Sequence, residues 1–132
     1  MSLTIRRPVD IEDEIRKALR PHLTAYCRPL PASYTLPCIL ITQVGGTDQS
    51  GWIDTMDIVL DARAQSSADA SETLRNAIGI LRAAAGSQHT AIRHIEVDSS
   101  GSWGADPVRP DLCMYSARIR VVAHPENATL TH

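Results

Sequence analysis

The stretch GWIDTMDIVLDARA, residues 51–64, alternates between apolar and polar positions along most of its length. Side chains on an extended chain point to opposite faces in turn. Trp52, Met56, Ile58, Leu60, Ala62 and Ala64 therefore share one side, and Thr55, Asp57, Asp61 and Arg63 share the other. A strand of this kind has one face covered and one face bare. That excludes an all-parallel sheet buried on both sides, and it predicts an antiparallel sheet roofed by helices on one face only.

The flanking segments supply the rest of such a fold. Val9, Ile11, Ile15, Leu19 and Leu23 recur near helical spacing, which predicts a first helix near residues 9–25, with Asp10 as its cap and Pro21 ending or bending it. The segment CRPLPASYTLP carries three prolines and reads as an extended linker. LPCILITQV, residues 36–44, is apolar on both sides and suits an interior strand, and GGTDQSG then turns the chain back into the opening stretch. Ser66 or Ser67 caps a second helix whose stripe of Ala70, Leu74, Ala77, Ile78, Leu81, Ala84 and Ala85 ends at Gly86. Two more strands are expected at 91–98 and 112–123, joined by the Gly, Ser and Pro-rich loop SSGSWGADPVRPD. Together these segments predict an α+β two-layer sandwich in the order αββαββ, a four-stranded sheet with two helices on one face. The expectation is a single domain over 1–132, with its core at about 9–124 and a flexible C-terminal tail at 125–132.

A chain of 132 residues buries roughly two-thirds of the surface that its unfolded form exposes, so it needs no covalent staples. Its three cysteines, Cys27, Cys38 and Cys113, form no CxxC pair and fit reduced thiols in a cytoplasm. MSLTIRRPVDIEDEIRKAL turns charged where a signal peptide would be apolar, and no stretch approaches the length of a membrane span. The net charge of −2, with both signs interspersed, argues against binding nucleic acid through its phosphates.

Chemistry is sparse. His22, His89, His94, His124 and His132 are scattered without a metal-ligand spacing, no Ser lies in a nucleophile elbow, and GGTDQSG lacks the Lys that ends a phosphate loop. Asp57 and Asp61 are four apart on one strand face, or about 13 Å, too far for a hydrolytic carboxylate pair. No catalytic residue, cofactor or metal is therefore expected. The bare sheet face and the long loop remain as candidates. Asp57, Asp61 and Arg63 with Arg118 and Arg120 place both signs of charge on that face, while Trp103 and Arg109 lie in the loop. A monomer leaves such charges in water and folds Trp103 back as a roof. The alternative is that these seven residues meet a neighbouring copy or a partner. Trp52, on the apolar side of its strand, reads as core.

The acidic-to-apolar first helix, the proline-flanked apolar strand ending in VGG, WIDTMDIVLDARA, the capped Ala-rich helix and the terminal strand DLCMYSARIRVVAH together resemble the tail-terminator, or tail-completion, proteins of lambda-like long-tailed bacteriophages. The resemblance covers about residues 9–124 and lies in the order and character of the segments. It implies a non-enzymatic subunit of the virion tail or neck, assembled in the host cytoplasm into a homo-oligomeric, hexameric ring. Its implied partners are the major tail tube protein and head-neck connector proteins, with DNA passing through the lumen unbound. Competing readings are another head-tail connector component and a small-ligand-binding or enzymatic domain using the bare face.

Overall fold

A computed structural model describes residues 1–48, 52–105 and 109–131, with the backbone alone described at 47–48, 99–103 and 105. The elements run β1 (Ser2–Arg7), α1 (Ile11–Leu19), β2 (Ala25–Cys27), β3 (Cys38–Asp48), β4 (Asp54–Ala64), α2 (Ser67–Ala84), β5 (Ile92–Ala105), β6 (Cys113–Ala123) and β7 (Glu126–Thr131). The class is α+β, but the expected four-stranded sheet is corrected: the described residues form seven strands in two sheets, a five-stranded sheet ordered β2-β3-β4-β6-β5 and a two-stranded ribbon, β1-β7.

Both helices begin with a side-chain cap. The Asp10 carboxylate accepts from the Asp13 N–H at 3.2 Å, and the Ser66 hydroxyl oxygen accepts from the Asp69 N–H at 3.1 Å, each satisfying a donor that has no partner inside the helix. Glu12, Asp13 and Glu14 follow in the first turn of α1, at the positive end of its dipole. The helix stops at Leu19 rather than near 25, because Pro21 has no N–H to continue the ladder. Gly86, at φ +84°, takes the left-handed conformation just after α2.

The core lies between the helices and one face of the large sheet. Ile11, Ile15 and Leu19 of α1 and Leu74, Ala77 and Leu81 of α2 cluster with Ile39 and Ile41 of β3, with Met56, Ile58, Leu60 and Ala62 of β4, and with Ala117, Ile119, Val121 and Ala123 of β6. Cross-strand register carries this face from strand to strand, Ile41 opposite Leu60 and Leu60 opposite Ala117. Two carboxylates of α1 tie the helix to distant backbone: Glu12 accepts from the Gln43 N–H at 2.9 Å, and Glu14 accepts from the Ala91 N–H and the Thr90 hydroxyl, each at 3.3 Å.

Three further corrections concern the margins. β2 is only three residues long and pairs parallel to β3, Ala25 opposite Ile39, where a continuation of the first helix and a linker were expected. β5 continues to Ala105 and pairs with β6 through Ala105 opposite Cys113. Half of the expected 99–111 loop is therefore strand, while residues 106–108 lie outside the described residues. The expected C-terminal tail is β7, which pairs with β1 along six positions, from Ser2 opposite Thr131 to Arg7 opposite Glu126. Neither ribbon strand shows up by burial pattern, since both are largely exposed.

Ile58 is fully buried at the centre of the five strands. Ile58→Ala is expected to lower unfolding free energy by about 2–5 kcal/mol, read as a shifted urea midpoint with an unchanged slope. Asp13 is held below its ordinary pKa, first by its hydrogen bond with Arg16 and then by that with Lys17. A depressed carboxylate stabilises the fold above its unfolded pKa, about 3.9, and this contribution disappears as pH falls through the lower folded value. Asp13→Asn should therefore cost stability at neutral pH and converge with the parent in strong acid, as followed by thermal melts across pH.

Candidate functional site

The bare face of the sheet carries the charged residues singled out from the sequence, and it brings some of them together. The register sets Asp57 opposite Arg120, Val59 opposite Arg118 and Asp61 opposite Ser116. The Asp57 carboxylate lies 3.3 Å from Arg120 Nε and 3.6 Å from Arg118 Nη2, and Arg120 Nη2 is 3.8 Å from Asp98 on β5. Asp61 accepts a hydrogen bond from the Ser116 hydroxyl at 2.5 Å. Two arginines are thus interleaved with two aspartates within one subunit. Exposed pairs of this kind contribute only about 0–1 kcal/mol each, so the cluster orients a neighbour more than it attracts one.

The other expected interface residues are dispersed. Arg63 lies further along β4, opposite Met114 and Cys38, and is buried. Arg109 sits in the turn before β6 and pairs with Asp111 at 3.1 Å. The backbone of Trp103 is in β5 opposite Tyr115, and its side chain lies outside the described residues.

A second surface is apolar. The exposed large hydrophobic residues among those described are Met1, Leu3, Val44, Trp52, Ile53 and Leu130. They fall on two segments, the β1-β7 ribbon and the distal half of the β3-β4 hairpin, rather than being scattered. The Arg6 guanidinium lies over the Trp52 ring, 4.8 Å from its centroid, and joins the two segments. Trp52 corrects the expectation of a core residue. The strand begins at Asp54, opposite Asp48, so Trp52 continues the apolar phase of β4 beyond the end of the covered sheet and is 66% exposed. In the ribbon, Leu3 pairs with Leu130 and Ile5 with Ala128, which gathers the apolar side chains on one face beside the Arg7–Glu126 ion pair and leaves Ser2, Thr4, Arg6, Asn127, Thr129 and Thr131 on the other. The signal was present in the alternation of SLTIRR and ENATLT, each too short to stand out from a leader or a tail.

A groove of about 830 Å³ lies between α2 and residues 22–24 and 36–37, with apolar Leu23, Leu36, Pro37 and Ile80 and a polar majority that includes His22, Asp69, Glu72 and Arg75 in its lining. Gly79, in the interior of α2, also lines it. A Cβ at Gly79 would meet nothing within 4 Å, so no contact inside the subunit accounts for a residue that costs the helix about 1 kcal/mol relative to Ala.

Among the described residues, no group of three or more His, Cys, Asp or Glu is placed to hold a metal ion. The Cys27 thiol is pushed up in pKa, first by burial and then by the nearby Glu12 charge, the reverse of what a thiolate nucleophile requires. No helix among the described residues is long and apolar enough to cross a membrane.

Asp57→Asn leaves Arg118 and Arg120 facing a neutral side chain. The expected loss of stability is no more than about 1 kcal/mol and shrinks as salt is raised, as measured by urea unfolding at low and high ionic strength. Neither a protein-family model nor a curated protein sequence matches the chain.

Proposed function

We propose that the protein is a structural assembly subunit of the phage tail-terminator type. It forms a homo-oligomeric, hexameric ring on the end of a tail tube, stops the tube's growth and presents a surface to head-neck connector proteins. The observation that carries this reading is the concentration of exposed apolar side chains, Leu3, Val44, Trp52, Ile53 and Leu130, on one ribbon and one hairpin joined by Arg6. Large apolar side chains left exposed on two adjoining segments favour protein contact over solvent. The order and character of the segments, which resemble the terminator proteins, supply the class of partner. Each contact on its own is weak, and termination follows when several engage a tube end together, since the second and later contacts form at high effective concentration. The interleaved charges of Asp57, Arg118, Arg120 and Asp98 then fix the register of one subunit on the next. A chain of net charge −2 without a basic stripe suits a lumen through which DNA slides without being held.

Purified protein added to tail tube protein during polymerisation is expected to give tubes of limited length with ring density at one end in negative-stain images. Tubes that grow to the control length with bare ends would sink this function. Trp52→Ala should abolish capping while lowering stability by no more than about 1 kcal/mol, the worth of an exposed cation-π contact, measured in parallel by thermal unfolding.

A further inference from the structure

We infer that the outer edge of β7 in one subunit pairs with the outer edge of β1 in a second copy of this chain, so that the ribbon of one copy extends the ribbon of the next. The inference rests on the self-assembly in the function proposed above and names the contact that produces it. A sheet edge offers a row of backbone donors and acceptors to any strand that arrives, and proteins ordinarily blunt such edges with short strands, bulges or charges. The large sheet is blunted on both sides. β2 is three residues long and reaches only Ile39–Ile41 of β3. Beyond it the Glu12 carboxylate takes the Gln43 N–H at 2.9 Å, and the register shifts between Gln43 and Gly45. β5 is interrupted by register shifts at Ile92/His94, Val97/Ser99 and Ser99/Ser102 and carries the polar His94 and Glu96 side chains.

The β1-β7 ribbon is built the other way. Its register runs unbroken through six pairs. Pro8 follows β1 and Pro125 precedes β7, so Arg7 and Glu126 form the end joined to the body. The four pairs farthest from it, Ile5 with Ala128 out to Ser2 with Thr131, hold no charged side chain. Both strands are largely exposed, and Leu3 and Leu130, directly opposite one another, are 60% and 46% exposed. A two-stranded ribbon is marginal in water, and a third strand sharing an apolar face is what makes such a unit stable.

The strand that β7 is seen to fit is β1. The same antiparallel register on the outer edge of β7 sets an incoming Leu3 beside Leu130, because residues directly opposite share a face. It also sets an incoming Arg7 beside Glu126, which holds its own Arg7 at 3.7 Å. The row across the joined ribbons then alternates in sign. β7 carries only Glu126 and β1 only Arg6 and Arg7, so pairing like with like brings no opposite charges together. The contact is head-to-tail, each copy giving β7 and receiving on β1.

Thr4 and Thr129 stand opposite one another near the middle of the ribbon, and cysteines placed there report which strands are neighbours. Thr4→Cys mixed with Thr129→Cys under mild oxidation should give a disulfide-linked dimer of one chain of each. Each variant alone should give none, nor should the parent, whose own cysteines are buried or half-buried. The double variant, oxidised at a dilution where the parent is monomeric, should close its disulfide within one chain. When concentrated it should still associate in sedimentation, as the parent does. A linked dimer from Thr129→Cys alone would point to β7 on β7, and a closed double variant that stays monomeric would point to exchange of β7 between chains. Either result overturns the inference, as does a parent that is monomeric at every concentration or a mixture that forms no link. Links that form as expected, with tubes left uncapped, would instead defeat the terminator function and leave this contact standing.

Discussion

Near-complete burial of one face of the β4-β6 pair, with the other covered only around Arg63 and its β3 neighbours Cys38 and Leu40, is the constraint on which the remaining structure depends. Met56, Ile58 and Leu60 on β4 and Ala117, Ile119 and Val121 on β6 are all close to fully buried, and helices supply the cover through Ile15, Leu19, Leu74 and Leu81. Each such side chain contributes on the order of 1.5–3 kcal/mol when removed from water. A register slip of one residue would turn Asp57 and Asp61 inward and these apolar residues outward. The pairing of β4 with its two neighbours is therefore fixed by hydrophobic phase before any polar contact acts.

Once that phase is fixed, the polar face is fixed with it. Asp57, Arg118 and Arg120 share the bare side because their strands are in register, and with Asp98 on β5 the two arginines meet two carboxylates. The same logic ties α1 down. Its first-turn carboxylates favour the helix dipole, and two of them reach further: Glu12 to the Gln43 N–H and Glu14 to the Ala91 N–H. These bonds hold the helix across backbone positions on both sides of the sheet's centre, where β3 leaves the core and β5 enters it.

How much of this is legible in the sequence follows from chain length and burial. The long alternation of residues 54–64 and 113–123, the Ser66 cap and the Ala70–Leu81 stripe all carry many residues of consistent phase, and each corresponds to an element. β2 offers three residues, too few for any period to register, and its place is set by backbone pairing with Ile39–Ile41. β1 and β7 are paired but scarcely buried, so the apolar-in, polar-out contrast that marks a strand is weak in both. Trp52 misleads for a related reason: it obeys the period of β4 but sits past the end of the sheet, where phase no longer implies cover. Of the candidate interface residues, alternation places Asp57, Asp61, Arg63, Arg118 and Arg120 on one face; which of them meet is set by the β4-β6 register, which alternation does not carry. The apolar ribbon is not legible there, because its face exists only once residues 2–7 and 126–131 meet.

The separation of the two surfaces has a geometric consequence. A contact that joins a surface on one subunit to a different surface on the next either closes into a ring or runs on as a filament, depending on the rotation between neighbours. An apolar ribbon alone does not set that rotation, since non-directional burial tolerates tilt. Charge clusters set it better: bringing Arg118 toward Arg120 of a neighbour is unfavourable, and bringing it toward Asp98 or Glu96 is favourable, so only certain angles survive. The β5 edge, with the polar His94 and Glu96 side chains and its three register shifts, discourages the alternative of open-ended strand addition. In the assembly proposed above, affinity on an exposed apolar surface and orientation on a weak ionic face, with both edges of the large sheet blunted, would favour closure over unlimited growth.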